Sequence, residues 1–225
     1  MTPSPARLLL SLLLPALAAA IPSGHAEPAM YALDPVHTRV LFEIGHAGFS
    51  QALGTVSGSE GSVRFDPDDW QAARVDVTVP LQRLELGDAQ WNRAALAANL
   101  LDAARWPQAR FVSDTVEAID AHHARVHGTL TLHGVSRPLI LEVTVNALKR
   151  HPLPPFRRTV GFSATATLSR SAFGIRAWPS MIGDEVGLRL EVEAVREGRS
   201  EAAPAAPAGA PPQAAAVHAP AHAAQ

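Results

Sequence analysis

The chain of 225 residues contains no cysteine, and that absence sets the first limits. It rules out a disulfide framework, a lipid-bearing cysteine behind a leader peptide, a thiolate nucleophile and haem attachment through C-x-x-C-H, so the folded part must hold together by its core alone. A formal net charge of −2, with no basic cluster, leaves no surface suited to tracking phosphates, which excludes nucleic acid as a partner. Catalytic signatures are missing too: there is no G-x-S-x-G turn, no glycine-rich loop opening a helix and no H-E-x-x-H. The reading is therefore of a binding protein rather than an enzyme, with no catalytic, cofactor-binding or metal-ligating residue assigned. Residues 8–14, all Leu except Ser11, are too short an apolar run, and Pro15 follows too soon, for a membrane span.

That run instead has the grammar of an export signal, with Arg7 before it and small residues after it that offer cleavage behind Ala20 or Ala26. Residues 1–26 are expected to be removed and the mature protein to reside in the periplasm. From residue 199 onward the chain is rich in Ala, Pro, Gly, Gln and His, without periodicity, a composition that cannot bury enough apolar area to offset its ordering entropy. A disordered tail is expected over 199–225, leaving 27–198 for one domain.

Within 27–198 the dominant pattern is period-two alternation. Val126, Gly128, Leu130 and Leu132 fall on one face, and Arg125, His127, Thr129, Thr131 and His133 on the other. Strands are expected at 39–45, 56–65, 73–80, 109–118, 125–132, 138–148, 157–168 and 186–196, with 31–33 as a short edge piece. The segment 88–101 reads as helix, with Asp88 placed to cap it. So many one-sided strands and so little helix to cover them predict an all-β fold: an antiparallel barrel of eight or so strands closed on an apolar interior. Gly134 and Pro138 mark the turn between two of the strands as a hairpin.

The inward positions are mostly Val, Ala, Leu and Gly. Small walls of this kind favour room for one slender ligand over a filled sandwich core, which stays the alternative, and the interior site is assigned to Phe42, Val77, Leu141, Val143, Phe162, Ala164 and Leu190. Polar candidates sit on connections. Arg137, Arg170 and Arg176 could serve an anionic head group with His46 beside them, although ordinary solvated charge is the alternative for each. For His37 and His46 a rim ligand and a turn-closing structural residue are both open. Residues 169–184 contain Phe173, Ile175, Trp178 and Met181, an apolar connection that reads either as a lid or mouth or, more commonly for such a segment, as packing over a barrel end.

A set of motifs then narrows the class. Tyr31-x-Leu33-Asp34-Pro35-x-His37, Gly45-His46-x-Gly48 with Gly54, Trp106-Pro107-x-Ala109-x-Phe111, Gly128-x-Leu130-Thr131-Leu132-x-Gly134-Val135-x-Arg137-Pro138, Gly161-Phe162-x-Ala164, Ser169-Arg170-Ser171-x-Phe173-Gly174 and Gly183-Asp184-x-Val186 occur in unbroken order. The stretch from Tyr31 to Arg196 resembles the YceI family of exported bacterial proteins. The resemblance implies an extended lipocalin-like barrel whose interior holds a polyisoprenoid or another long-chain amphiphilic lipid non-covalently, with the polar head near the mouth. It admits transient membrane contact and a homodimer. Where many members carry an Arg-Asp-x-His-Leu run, this chain has Trp91-Asn92-Arg93-Ala94-Ala95-Leu96. A diphosphate head is therefore not carried over, and a neutral lipid or quinone-like tail stays open. Two roles follow: a periplasmic carrier of such a lipid, or an enzyme or redox accessory acting on an isoprenoid or quinone lipid beside a membrane cytochrome.

Overall fold

The computed structural model describes residues 28–198, so the expected export signal and the expected tail lie outside the described residues. In chain order the elements are β1 (Ala29–Leu33), β2 (Arg39–His46), β3 (Ser50–Ser57), β4 (Glu60–Phe65), β5 (Arg74–Pro80), β6 (Leu84–Glu85), α1 (Ala89–Leu96), β7 (Gln108–Ala118), β8 (His123–Leu132), β9 (Val135–Arg150), β10 (Arg158–Ser169) and β11 (Ile182–Arg196). Every pairing is antiparallel. Strands β1, β4, β5, β7, β8, β9, β10 and β11 follow one another around a ring that closes when β11 pairs with β1. The expected eight-stranded closed barrel is what forms.

Closure depends on a segment expected to be only an edge piece. Strand β1 has no free edge: Tyr31 is registered with Val63 on one side and with Arg196 on the other. The same edge of β11 then takes up β2, with Glu191 opposite Arg39 and Leu188 opposite Phe42. Strand β2 carries β3, and β3 carries the two-residue β6. The pairs β1/β2 and β3/β4 are thus two long strands, each broken midway, and β5 and β6 are separated by a single 3-10 turn at Leu81–Arg83. The barrel has a lower ring made by β1, β4 and β5 and an upper extension made by β2, β3 and β6. One continuous strand was expected over 56–65. The chain breaks there because Gly58 takes a left-handed φ of 75°, which re-aims the backbone between β3 and β4.

The break between β1 and β2 is closed by Asp34 and His37. The Asp34 carboxylate accepts from the amides of Val36 and His37, and His37 Nδ1 lies 2.8 Å from its Oδ2. Partial burial pushes the Asp34 carboxyl up, but the hydrogen bonds from the imidazole and the two amides outweigh it and hold it below its ordinary range. The same contact raises His37. Of the two readings open for His37, the turn-closing one is what the structure shows.

Helix α1 starts where expected, with Asp88 Oδ1 accepting from the amides of Gln90 and Trp91. It ends at Leu96 instead of reaching 101, because Leu100, Leu101 and Ala103 turn back to pack against the barrel core. The β8–β9 connection is the expected hairpin, with His133 and Gly134 both left-handed. Gly134 has a second reason to be glycine, since a Cβ there would overlap the Trp106 ring.

Candidate functional site

Alternation sends one row of side chains per strand into the barrel, but the two halves of the interior differ. At the lower end Tyr31, Leu33, Val63, Phe65 and Trp70 are buried, and Val160 and Ala194 are wholly inaccessible. Phe65 stands edge-on to Trp70 at 5.3 Å and to Phe162 at 5.4 Å, an aromatic floor that plugs this end. Toward the upper end Ala109 and Phe111 on β7, Leu130 on β8 and Leu139 on β9 are buried too, with Leu81, Ala103, Phe173 and Ile175 of the connections. The rows of the other strands there differ: Val40, Phe42 and Ile44 on β2, Val77 and Val79 on β5, Ala166 and Leu168 on β10, and Val186, Leu188 and Leu190 on β11 face the interior yet stay partly accessible. This is the less completely packed side of the interior, although Val77, Val79, Ala166, Leu168 and Leu190 still pack against the core. The Phe42 ring lies across Gly54 on the neighbouring strand, where a Cβ would collide with it.

The seven expected lining residues divide along this boundary. Leu141, Phe162 and Ala164 belong to the packed core, Phe162 as part of the floor. Val77, Val143 and Leu190 are partly buried and pack against that core, and Phe42 is partly buried on β2. Register links Val143, Ala164, Leu190, Val40 and Val56 in one row across β9, β10, β11, β2 and β3, which climbs from beside Ala124 at the lower end of β8 to beside Leu84 of β6 at the upper end. Val40, Ile44, Val79, Ala166 and Leu188 face inward by the same alternation that found Phe42 and Leu190, but were not among the seven residues assigned to the site.

Strand direction puts the β2–β3, β5–β7, β8–β9 and β10–β11 connections at the same, upper end, so the four head-group candidates share one rim. Their states differ. The Arg170 side chain is 5 % exposed, and its guanidinium donates to the carbonyls of Gly183 (2.7 Å), Ile175 (2.8 Å) and Ile182 (2.9 Å). It staples the β10–β11 connection to the start of β11 and is not available to a ligand, so its expected head-group role is corrected to a structural one. The clue in the sequence was its setting, between Ser169 and the buried pair Phe173 and Ile175. Arg137 is exposed and donates from Nε to the Ala172 carbonyl at 3.2 Å. Arg176 is exposed and makes no ion pair among the described residues. His46 packs its ring 5.2 Å from Trp91.

At the α1 segment where the chain departs from the family pattern, Asn92 Oδ1 accepts from the Leu86 amide at 2.8 Å, so this side chain ties the helix down. Asp184 is held below the ordinary carboxylate range, first by the Ser169 hydroxyl and then by Ser171. A depression of about 510 Å³ on the outer wall, lined by Asp120, His123, Glu142, Ser163 and Arg189 among others, is a weaker candidate than the interior. It is widely open, and its charged groups are already matched, His123 by Asp120, Glu142 by Arg125 and Arg189 by Glu191. Among the described residues no three His, Asp or Glu side chains gather in a way that could hold a metal.

Fold and site together define a lipocalin-like barrel with a plugged floor, an accessible aliphatic upper interior and a single rim of loops around it. The chain belongs to the YceI family: the model of the YceI-like domain matches residues 31–194. A curated relative from Pseudomonas savastanoi pv. phaseolicola, a UPF0312 protein, is 32 % identical over 181 residues, covering 80 % of this chain and 93 % of that one. Among solved structures, BcnA of Burkholderia cenocepacia superposes with a TM-score of 0.64 at 24 % identity, over 72 % of this chain and 98 % of its own. A domain from Saccharophagus degradans described as polyisoprenoid binding superposes with a TM-score of 0.57 at 13 % identity, over 76 % and 100 %. At these identities the two structures speak to the fold alone.

Proposed function

We propose that the protein binds a polyisoprenoid or similar long-chain amphiphilic lipid in the upper barrel and carries it, unaltered, in the periplasm. The observation that carries this reading is the partly accessible inward wall of Val40, Phe42, Ile44, Val77, Val79, Leu188 and Leu190. Unfilled apolar surface of this extent costs about 25 cal/mol per Å² while water touches it, a cost that a hydrocarbon chain removes. The polyisoprenoid-binding description of the Saccharophagus domain supports the same ligand class. The polar head stays at the rim, where His46, Arg137 and Arg176 lie, and where the buried Arg170 takes no part.

The test is native mass spectrometry, with lipid extraction, of protein purified from its own cells. A stoichiometric prenyl lipid is expected. A bound metal, or turnover of the lipid, would replace carriage with the enzyme or redox reading. Sequencing the amino terminus of the periplasmic material checks the location: a start at Ile21 or Glu27 is expected, and a start at Met1 would defeat export. Comparing a prenyl diphosphate with its matching alcohol decides the head group, since equal affinity means that the chain alone is recognised.

A further inference from the structure

Beyond the interior site, the outer side of the rim carries an apolar surface of its own. The β2–β3 hairpin ends in Phe49, which is 93 % exposed. To one side of it His46 packs on Trp91 of α1 at 5.2 Å. On the other side the Ala47 amide donates to the Met181 carbonyl, and the amides of Met181 and Ile182 donate to the Trp178 carbonyl. Trp91, Trp178 and Met181 are each about half exposed, and Leu53 stands on the outer face of β3 just below. Three segments far apart in sequence thus converge into one protruding patch around the hairpin tip.

We infer that this tip docks the protein on the interface of an anionic lipid bilayer, an inference that rests on the lipid-carrier reading. Three features favour a bilayer over another protein. The residue types are those that settle at the boundary between headgroups and acyl chains, two Trp and a Phe with Met beside them. The charge at the tip is complementary: segments 46–50, 89–96 and 176–181 contain Arg93 and Arg176 and no carboxylate, with Glu43 opposite Leu53 and Asp88 at the helix cap bounding the patch, within a chain whose net charge is −2. Neither arginine makes an ion pair among the described residues, and each stands two residues from an exposed Trp, where its guanidinium can reach headgroup phosphates while the ring goes deeper. The third feature is shape, since a hairpin tip inserts into a soft interface but offers little area to a flat protein partner. No helix among the described residues is long and apolar enough to cross the bilayer, so the contact is interfacial. Docked in this way, the upper rim of the barrel faces the lipid, and a hydrocarbon chain bound on the β2–β11 side can pass between bilayer and protein with little exposure to water.

The absence of cysteine allows a site-specific test on the full chain. Phe49→Cys and, at the opposite end of the barrel, the exposed Leu153→Cys are each labelled with an environment-sensitive fluorophore and mixed with vesicles of phosphatidylcholine and phosphatidylglycerol. The label at 49 is expected to shift to the blue and brighten, while that at 153 stays unchanged. Arg93→Gln with Arg176→Gln should weaken partitioning into the anionic vesicles by on the order of tenfold, and pure phosphatidylcholine should bind the unsubstituted protein weakly. Equal response at both labels, or none at 49, overturns the inference. So does a shift at 49 that appears without vesicles and grows with protein concentration, which would assign the tip to a second copy of the chain. Binding of a prenyl alcohol by the unlabelled protein without vesicles is measured alongside. If the alcohol binds and the tip stays silent, docking alone has failed; if the tip responds and no alcohol binds, the carrier reading has failed.

Discussion

Two regions of the barrel interior are built by the same alternation, yet one is packed and the other stays partly open to solvent. At the lower end the inward row of β10 contains Phe162, and Tyr31, Phe65 and Trp70 meet it from β1, β4 and the turn after β4, while the rows of β7, β8 and β9 stay buried toward the upper end through Phe111, Leu130 and Leu139. Above Ala164 the rows of β10 and β11 contain only Val, Leu and Ala, and Phe42 of the neighbouring β2 lies against Gly54. Side-chain size at a given height decides whether a barrel of eight strands fills or stays hollow. A packed floor can then supply stability while the upper wall remains free to bind.

The contrast is easiest to break at its aromatic residues. Phe65→Ala should remove about 3–5 kcal/mol, as truncations of buried aromatics do, because both neighbouring rings lose their edge contact. Phe42→Ala should cost roughly half as much and weaken lipid binding more than stability. Urea denaturation beside a prenyl-alcohol titration separates the two, and equal losses of stability would mean that the upper half is packed as well.

The rim arginines offer the next test. Arg170→Gln strips three buried carbonyls of a charged donor and should destabilise by roughly 2–4 kcal/mol. Arg176→Gln, at an exposed site without an ion pair, should leave the melting temperature within about 1 °C. A stable Arg170→Gln protein that had lost only its preference for an anionic ligand would return Arg170 to the head-group site.

A finer probe lies on β10. Ala164→Trp overpacks the top of the core and should cost about 1–3 kcal/mol, whereas Ala166→Trp, one inward position higher, enters open space and should block ligand with little loss of stability. If both substitutions are costly, the interior is packed beyond Ala164 as well.

The smallest effect concerns the Asp34–His37 contact at the junction of β1 and β2. The folded His37 value lies above its ordinary value of about 6.5, so the stabilisation is complete below that pH and is lost as pH rises through the raised value. The folded Asp34 value lies below its ordinary one, so its share is complete at neutral pH and is lost as acidification passes through the lowered value. The gap in melting temperature between the native chain and a His37→Ala variant should therefore be widest in mildly acidic solution and narrow toward alkaline pH. A gap of constant size from about pH 5 to about pH 9 would assign the turn to backbone geometry alone.

Much of the fold was legible in the chain. Strands β2, β5 and β7 to β11 were visible as alternation, the hairpin at Gly134 as turn chemistry, and the helix start as Asp88, because these features are encoded within a few residues. Errors arose wherever distant segments decided the outcome. Strand β1 read as an edge because nothing local shows that β4 and β11 flank it on both sides. Strand β3 was only partly seen, since Gly54 looks like a break until Phe42 is placed across it. Arg170 looked like a free charge because the carbonyls that bury it belong to residues 175, 182 and 183.

By itself, then, the sequence determined the side of each strand that faces inward, the closed all-β architecture that one-sided strands require, and the aliphatic character of the wall, because alternation and composition are local properties. Which half of the interior is filled, which loops share a rim, and which polar groups are already spent were decided by the tertiary structure alone. The physical reason is register: the pairing of β10 with β9 and β11, and of β11 with β1 and β2, sets the height of every inward side chain. Only at fixed heights do Phe65, Trp70 and Phe162 meet as a floor while Val40, Phe42 and Leu188 on the β2–β11 side keep partial access to solvent.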